Sequence, residues 1–101
     1  MDDLNEAGRS DGVAAAVELI AARGPDPGGV WRHRKGGVYR VLVNAVREHD
    51  LVPVVVYREE FPRGLSSDRR LAMVWVRPLT EFTDGRFTMV APARREGTEN
   101  G

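Results

Sequence analysis

There is no cysteine in this chain. That removes a disulfide framework, a thiolate zinc site and a cysteine nucleophile together. No apolar run approaches the roughly 20 residues that a membrane-crossing helix needs. The opening residues, Met1-Asp2-Asp3-Leu4, are acidic and lack the apolar segment of a secretory signal. A cytoplasmic location is the expectation. Net charge is missing too, because 15 Lys+Arg balance 15 Asp+Glu. Histidine is scarce: His33 and His49 stand alone, with neither HxH nor HExxH spacing, so no metal site is expected. P-loop and GxGxxG patterns are absent and no cofactor is expected. Ser66 and Ser67 sit in no nucleophile elbow, and the adjacent Glu59 and Glu60 face opposite sides of an extended stretch. The balance favours a binder over an enzyme.

What is present is a small domain's worth of apolar residues, 42% of 101. The balanced charge hides an asymmetry. Residues 30–90 hold 11 Lys+Arg and 7 Asp+Glu, a net of +4, and the two ends carry the compensating −4. A mildly basic body suits an anion but falls short of a strongly basic nucleic-acid binder. Lys35 is the one lysine among many arginines.

Residues 1–10 are polar and acidic and are expected to fray. Ser10 or Asp11 can cap a helix. Val13, Ala16, Val17 and Ile20 follow at helical spacing, and Gly24-Pro25 stops the run, so a helix is predicted over 11–23. Its narrow stripe needs a flat support, either the β body or the same helix of a second copy. Pro25–Gly29 is a linker.

Beyond it the period changes to two. In residues 38–46, Tyr39, Val41, Val43 and Ala45 are assigned one face and Arg40, Leu42 and Asn44 the other. A polar turn spans Arg47–Asp50. Residues 51–58 form a second strand, with Pro53 at its start or on an edge. Residues 59–70 make a long polar loop. A third strand over 71–77 ends at Pro78, and a fourth covers 86–90 after a turn at Thr83–Gly85. From Ala91 the chain reads as a disordered tail. The fold class is mainly β (α+β): a small bent antiparallel sheet or an SH3-like barrel over 30–90, with one N-terminal helix. So small a core is marginal alone, so a docked helix or a homo-oligomer, most simply a dimer, is expected.

Three blocks in order, WRHRKGGVYRVL (31–42), VVVYR (54–58) and WVRPLTEF (75–82), resemble a bacterial and phage family filed as domain of unknown function 1653. The matching positions include Trp31, Arg32, His33, Lys35, Gly36, Tyr39, Tyr57, Trp75, Arg77 and Phe82. The resemblance covers about residues 31–90 and implies a compact β fold. It implies no activity. The first turn departs from the family's His-Ser-Glu-Thr pattern, having Arg47-Glu48-His49-Asp50 instead.

Trp31–Gly37 is the most unusual stretch. Arg32, His33, Arg34 and Lys35 precede two glycines. Consecutive N–H groups beside glycine can cradle an anion, arginine grips phosphate with two parallel bonds, and lysine adds a point charge. The simpler reading is a solvated basic turn before the first strand. Trp75 and Arg77 share a strand face, and an Arg beside an aromatic can sandwich a base. The simpler reading makes Trp75 and Tyr39 core aromatics with Arg77 covering them by its stem.

The candidate ligand-binding residues are Arg32, His33, Lys35, Gly36, Tyr57, Trp75 and Arg77. The favoured function is non-catalytic binding of an anionic, nucleotide-derived small molecule, for sensing or for sequestration, as in a phage sponge for a host signal. A barrel that binds single-stranded nucleic acid and a protein-interaction module are the alternatives.

Overall fold

The computed structural model describes residues 6–60 and 73–93. Helix α1 (Glu6–Arg23) leads into strands β1 (Val30–His33), β2 (Val38–Val46), β3 (Pro53–Glu59) and β4 (Val74–Pro78). A single turn of helix, α2 (Leu79–Phe82), and strand β5 (Phe87–Ala91) follow. All strand pairs are antiparallel, in the order β4-β3-β2-β1-β5. Among the described residues the sheet is open, with β4 and β5 at its edges. The bent-sheet expectation therefore holds and the barrel alternative does not.

β5 pairs with β1 rather than with its chain neighbour β4. The chain reaches it through α2 and the bends that follow. α2 buries Leu79 and Phe82, three residues apart and hence on one helical face, against Val41, Val55, Tyr57 and Phe87. The centre of this core is aromatic. Phe82 stacks on Phe87 at 4.2 Å, while Trp31 and Tyr57 meet Phe82 edge-on at 5.4 and 5.5 Å. Residues 79–82 give no helical signal in the sequence, because four residues carry too little periodicity to read.

α1 starts at Glu6 rather than at Asp11. Ser10 and Asp11 lie exposed inside it, where such residues cost only a few tenths of a kcal/mol, about 0.5 each. The stop at Gly24 is as expected: its N–H bonds Ile20 O at 2.7 Å. The helix docks on its own sheet through Ala16, which is buried, and Ile20, which packs against the core. Val13 and Val17 stay exposed. Leu51, in the β2–β3 turn with φ 60°, sits directly over Gly12, where a Cβ would come within 2.6 Å of its Cδ1.

The face assignment for β2 fails at its middle. The pairing of Val41 with Tyr57 is followed by that of Val43 with Val56, so one extra residue bulges between them. A one-residue slip moves every later side chain to the other face. Val43 and Ala45 thus leave the side of Tyr39 and Val41, and Asn44 takes their place opposite buried Val55. Asn44 Nδ2 donates to Pro25 O at 2.9 Å, tying the linker to the sheet.

The stretch read as a turn before the first strand begins with a strand of its own, β1, hydrogen-bonded on both sides. β5 runs through Ala91, one residue beyond the predicted strand. Residues 1–5, most of the 59–70 loop, Leu71-Ala72 and 94–101 lie outside the described residues. No helix among the described residues is long and apolar enough to cross a membrane.

Candidate functional site

The β1–β2 hairpin is built on a three-residue tip. Gly36 N–H bonds His33 O and His33 N–H bonds Gly37 O, both at 2.7 Å. Gly36 has φ +112°, the conformation that glycine adopts most readily in such a tip. Next to it, Gly37 lies under the Tyr39 ring: a Cβ there would meet its hydroxyl at 2.6 Å.

The tip does not offer an open backbone nest. Arg34 N–H bonds Arg86 O at 2.8 Å, Lys35 N–H bonds His33 Nδ1 at 3.0 Å, and Gly36 N–H is occupied as described. What converges instead are side chains. A cleft of about 450 Å³ opens between the hairpin, the β3–β4 pair and the start of β5. His33, Tyr39, Tyr57 and Phe87 form its aromatic wall, and Arg34, Lys35, Arg77 and Arg86 its cationic rim.

Arg77 is held by two contacts. Its Nε donates to Tyr57 Oη at 3.1 Å, and its guanidinium carbon lies 5.6 Å from the Phe87 ring centre. The hydrogen bond to Tyr57 raises the arginine's pKa above its ordinary value, so it stays charged. Glu81 Oε1 faces Arg77 Nη1 at 3.4 Å and Arg86 Nη1 at 3.5 Å, and Arg86 Nε bonds Asp84 at 2.9 Å. Among the described residues no carboxylate lies within ion-pair distance of Arg34 or Lys35. His33 Nδ1 is an acceptor, so the neutral ring carries its proton on Nε2. Its pKa lies below 6.5, through burial first and then the fields of Arg77, Arg34, Lys35 and Arg86. Burial, with Glu59 close by, raises that of the Tyr39 hydroxyl.

Of the candidate residues, His33, Lys35, Tyr57 and Arg77 meet at this cleft. Arg32 does not: it alternates to the opposite face of β1 and is exposed. Gly36 shapes the tip without lining the cleft. Trp75 lies opposite Tyr57 on edge strand β4 and is 42% exposed, so the core reading of it fails. An edge strand has a neighbour on one side only, which leaves that ring half uncovered. Tyr39 is half-buried, packing against the core while lining the cleft.

Arg34, Gly37, Arg86 and Phe87 were missed. Arg34 stood in plain view beside His33. Arg86 and Phe87 reach the hairpin only through the β1–β5 pairing, which pairs His33 with Phe87. His49 sits in the β2–β3 turn, at the other end of β2 from His33.

No curated protein and no solved structure matches the chain. A family model does, over residues 29–90, which take in every element from β1 to β5 except the last residue of β5. Its description is "Protein of unknown function (DUF1653)". With well over half its length matched, the chain belongs to the DUF1653 family.

Proposed function

We propose that this protein binds a small anionic molecule, of the phosphorylated, nucleotide-derived kind, in the cleft between the β1–β2 hairpin and β5, and acts by sensing or sequestering it. One observation carries the reading. Four cationic side chains from three separate stretches of chain, Arg34 and Lys35, Arg77, and Arg86, surround one neutral histidine. Glu81 and Asp84 offset only the charge of Arg77 and Arg86, and a bound anion offsets the remainder while accepting hydrogen bonds from the rim. Tyr57 and Phe87 fix Arg77 before any ligand arrives, which lowers the ordering cost of binding.

Native mass spectrometry of the protein as purified from cells, followed by denaturing extraction, reports a retained ligand and the oligomeric state together. Titration calorimetry with AMP and with cyclic dinucleotides then measures affinity. The expected result is binding that weakens about 10- to 100-fold in folded Arg77→Ala or Arg34→Ala, the effect of one or two charge-assisted bonds of about 1.5–3 kcal/mol. A protein that stays empty with all these compounds overturns the reading. Weight then passes to single-stranded nucleic acid, tested by salt-dependent oligonucleotide binding, or to a protein partner.

A further inference from the structure

Two arginines of the cleft's rim, Arg77 and Arg86, already share one anion, the carboxylate of Glu81, which does not itself line the cleft. A single oxygen, Oε1, faces both Arg77 Nη1 at 3.4 Å and Arg86 Nη1 at 3.5 Å. Both distances exceed the roughly 2.7–2.9 Å of a well-made charge-assisted bond. Glu81 is also 46% exposed by its side chain, so water competes with both contacts. Two guanidinium groups thus point at one shared acceptor that satisfies neither fully.

The aromatic wall, by contrast, offers no open ring face at Phe87. One of its faces stacks on Phe82, and Arg77 lies over the ring. Tyr57 is 5% exposed and meets Tyr39 edge-on. A base entering here finds hydroxyls and ring edges rather than a stacking platform.

Building on the anion-binding reading of this cleft, we propose that its specific target is the phosphoryl group of a phosphate monoester, which takes the place Glu81 holds between Arg77 and Arg86. A dianionic phosphoryl group presents an oxygen to each guanidinium and carries twice the charge of the carboxylate it displaces. A monoanionic carboxylate gains nothing in that exchange, so Glu81 sets a selectivity for dianions. Arg34 and Lys35, on the hairpin side, face the same group from across the cleft. The remainder of the ligand, sugar or base, stays outside the grip.

Titration calorimetry at pH 7.5 and low salt tests this with ribose 5-phosphate, AMP, adenosine and acetate. Wild type is compared with Glu81→Gln and Asp84→Asn, each checked by thermal unfolding. Ribose 5-phosphate and AMP are expected to bind within about threefold of each other, with adenosine and acetate undetected. Glu81→Gln should tighten ribose 5-phosphate about fivefold, the scale of two weak exposed ion pairs, and Asp84→Asn less than twofold. AMP binding more than about tenfold tighter than ribose 5-phosphate overturns the phosphoryl assignment and leaves the anion-binding reading in place. Equal effects of the two carboxylate variants reduce Glu81 to a general field effect and overturn its role as placeholder. No binding of either phosphate, in wild type and in Glu81→Gln, overturns the phosphoryl assignment, and the anion-binding reading falls with it only if the cyclic dinucleotides also fail to bind.

Discussion

Replacing Gly37 by alanine adds one methyl group directly against the Tyr39 ring of the candidate site. The new Cβ would stand 2.6 Å from Tyr39 Oη, 2.8 Å from Cε2 and 2.9 Å from Cζ. All three lie inside contact distance and belong to one rigid ring, so the ring must move as a whole. Gly37 itself, unlike Gly36, does not have a left-handed backbone, so the cost is steric rather than conformational. Tyr39 cannot yield freely, because it meets Tyr57 edge-on at 5.3 Å and Phe87 at 6.1 Å. Overpacking of this kind costs about 1–3 kcal/mol, and each edge-on aromatic pair disturbed is worth about 0.5–1.5 kcal/mol. A destabilisation of about 2 kcal/mol is expected, equivalent to a fall in Tm of roughly 8–16 °C for a domain of this size. Urea denaturation measures it. A double-mutant cycle with Tyr39→Leu isolates the cause, since without the ring the methyl group has space. In the Tyr39→Leu background, Gly37→Ala should cost less than about 0.5 kcal/mol, within the scatter of independent sites. An equal cost in both backgrounds refutes the clash as the source.

Two further predictions concern the wall and the core behind it. His33 makes stability depend on pH. Its folded pKa lies below 6.5 through burial and then the surrounding Arg77, Arg34, Lys35 and Arg86, so on acidification the unfolded chain takes up a proton first. Stability from this residue is constant above pH 6.5, falls as pH drops below it, and levels off once the folded imidazole protonates. Denaturation of wild type and His33→Gln between about pH 4.5 and 7.5 checks this, and parallel pH profiles would refute it. Phe82→Ala removes the ring on which Phe87, Trp31 and Tyr57 all rest. A loss of about 3–5 kcal/mol is expected, and a value below about 1 kcal/mol would show that α2 is peripheral to the core.

The elements legible in the sequence were those whose pattern is local. The β2–β3 hairpin shows itself by period two, by β-branched residues and by Pro53 at a strand start. The end of α1 shows itself at Gly24-Pro25. β1 was hidden because two of its four residues, Arg32 and His33, are of kinds that also make a basic turn. The bulge after Val41 was hidden because apolar residues continue through it: Leu42, Val43 and Ala45 suit either face. Only the partner strand shows that the parity has changed.

The site was half legible for the same reason. His33, Lys35, Tyr57 and Arg77 are unusual where they stand, and a reader of residue types finds them. Their grouping depends on two pairings. Tyr57 reaches Arg77 because β3 and β4 run antiparallel with Val55 opposite Arg77. Arg86 reaches Arg34 because β5 leaves its neighbour β4 and adds to β1, where Arg34 N–H closes on Arg86 O. The second step follows from no local signal. It rests on α2, whose Leu79 and Phe82 must be buried against Val41, Val55 and Phe87, and that burial carries the chain from one edge of the sheet toward the other. The positive charge of the cleft is thus a consequence of how the core closes. A change that loosens Phe82 should weaken the proposed phosphate binding as well as the fold, although Phe82 is not among the residues lining the cleft. Titrating Phe82→Leu with ribose 5-phosphate under conditions where it remains folded tests that link. Unchanged affinity would show that β5 holds Arg86 in place without the core behind it.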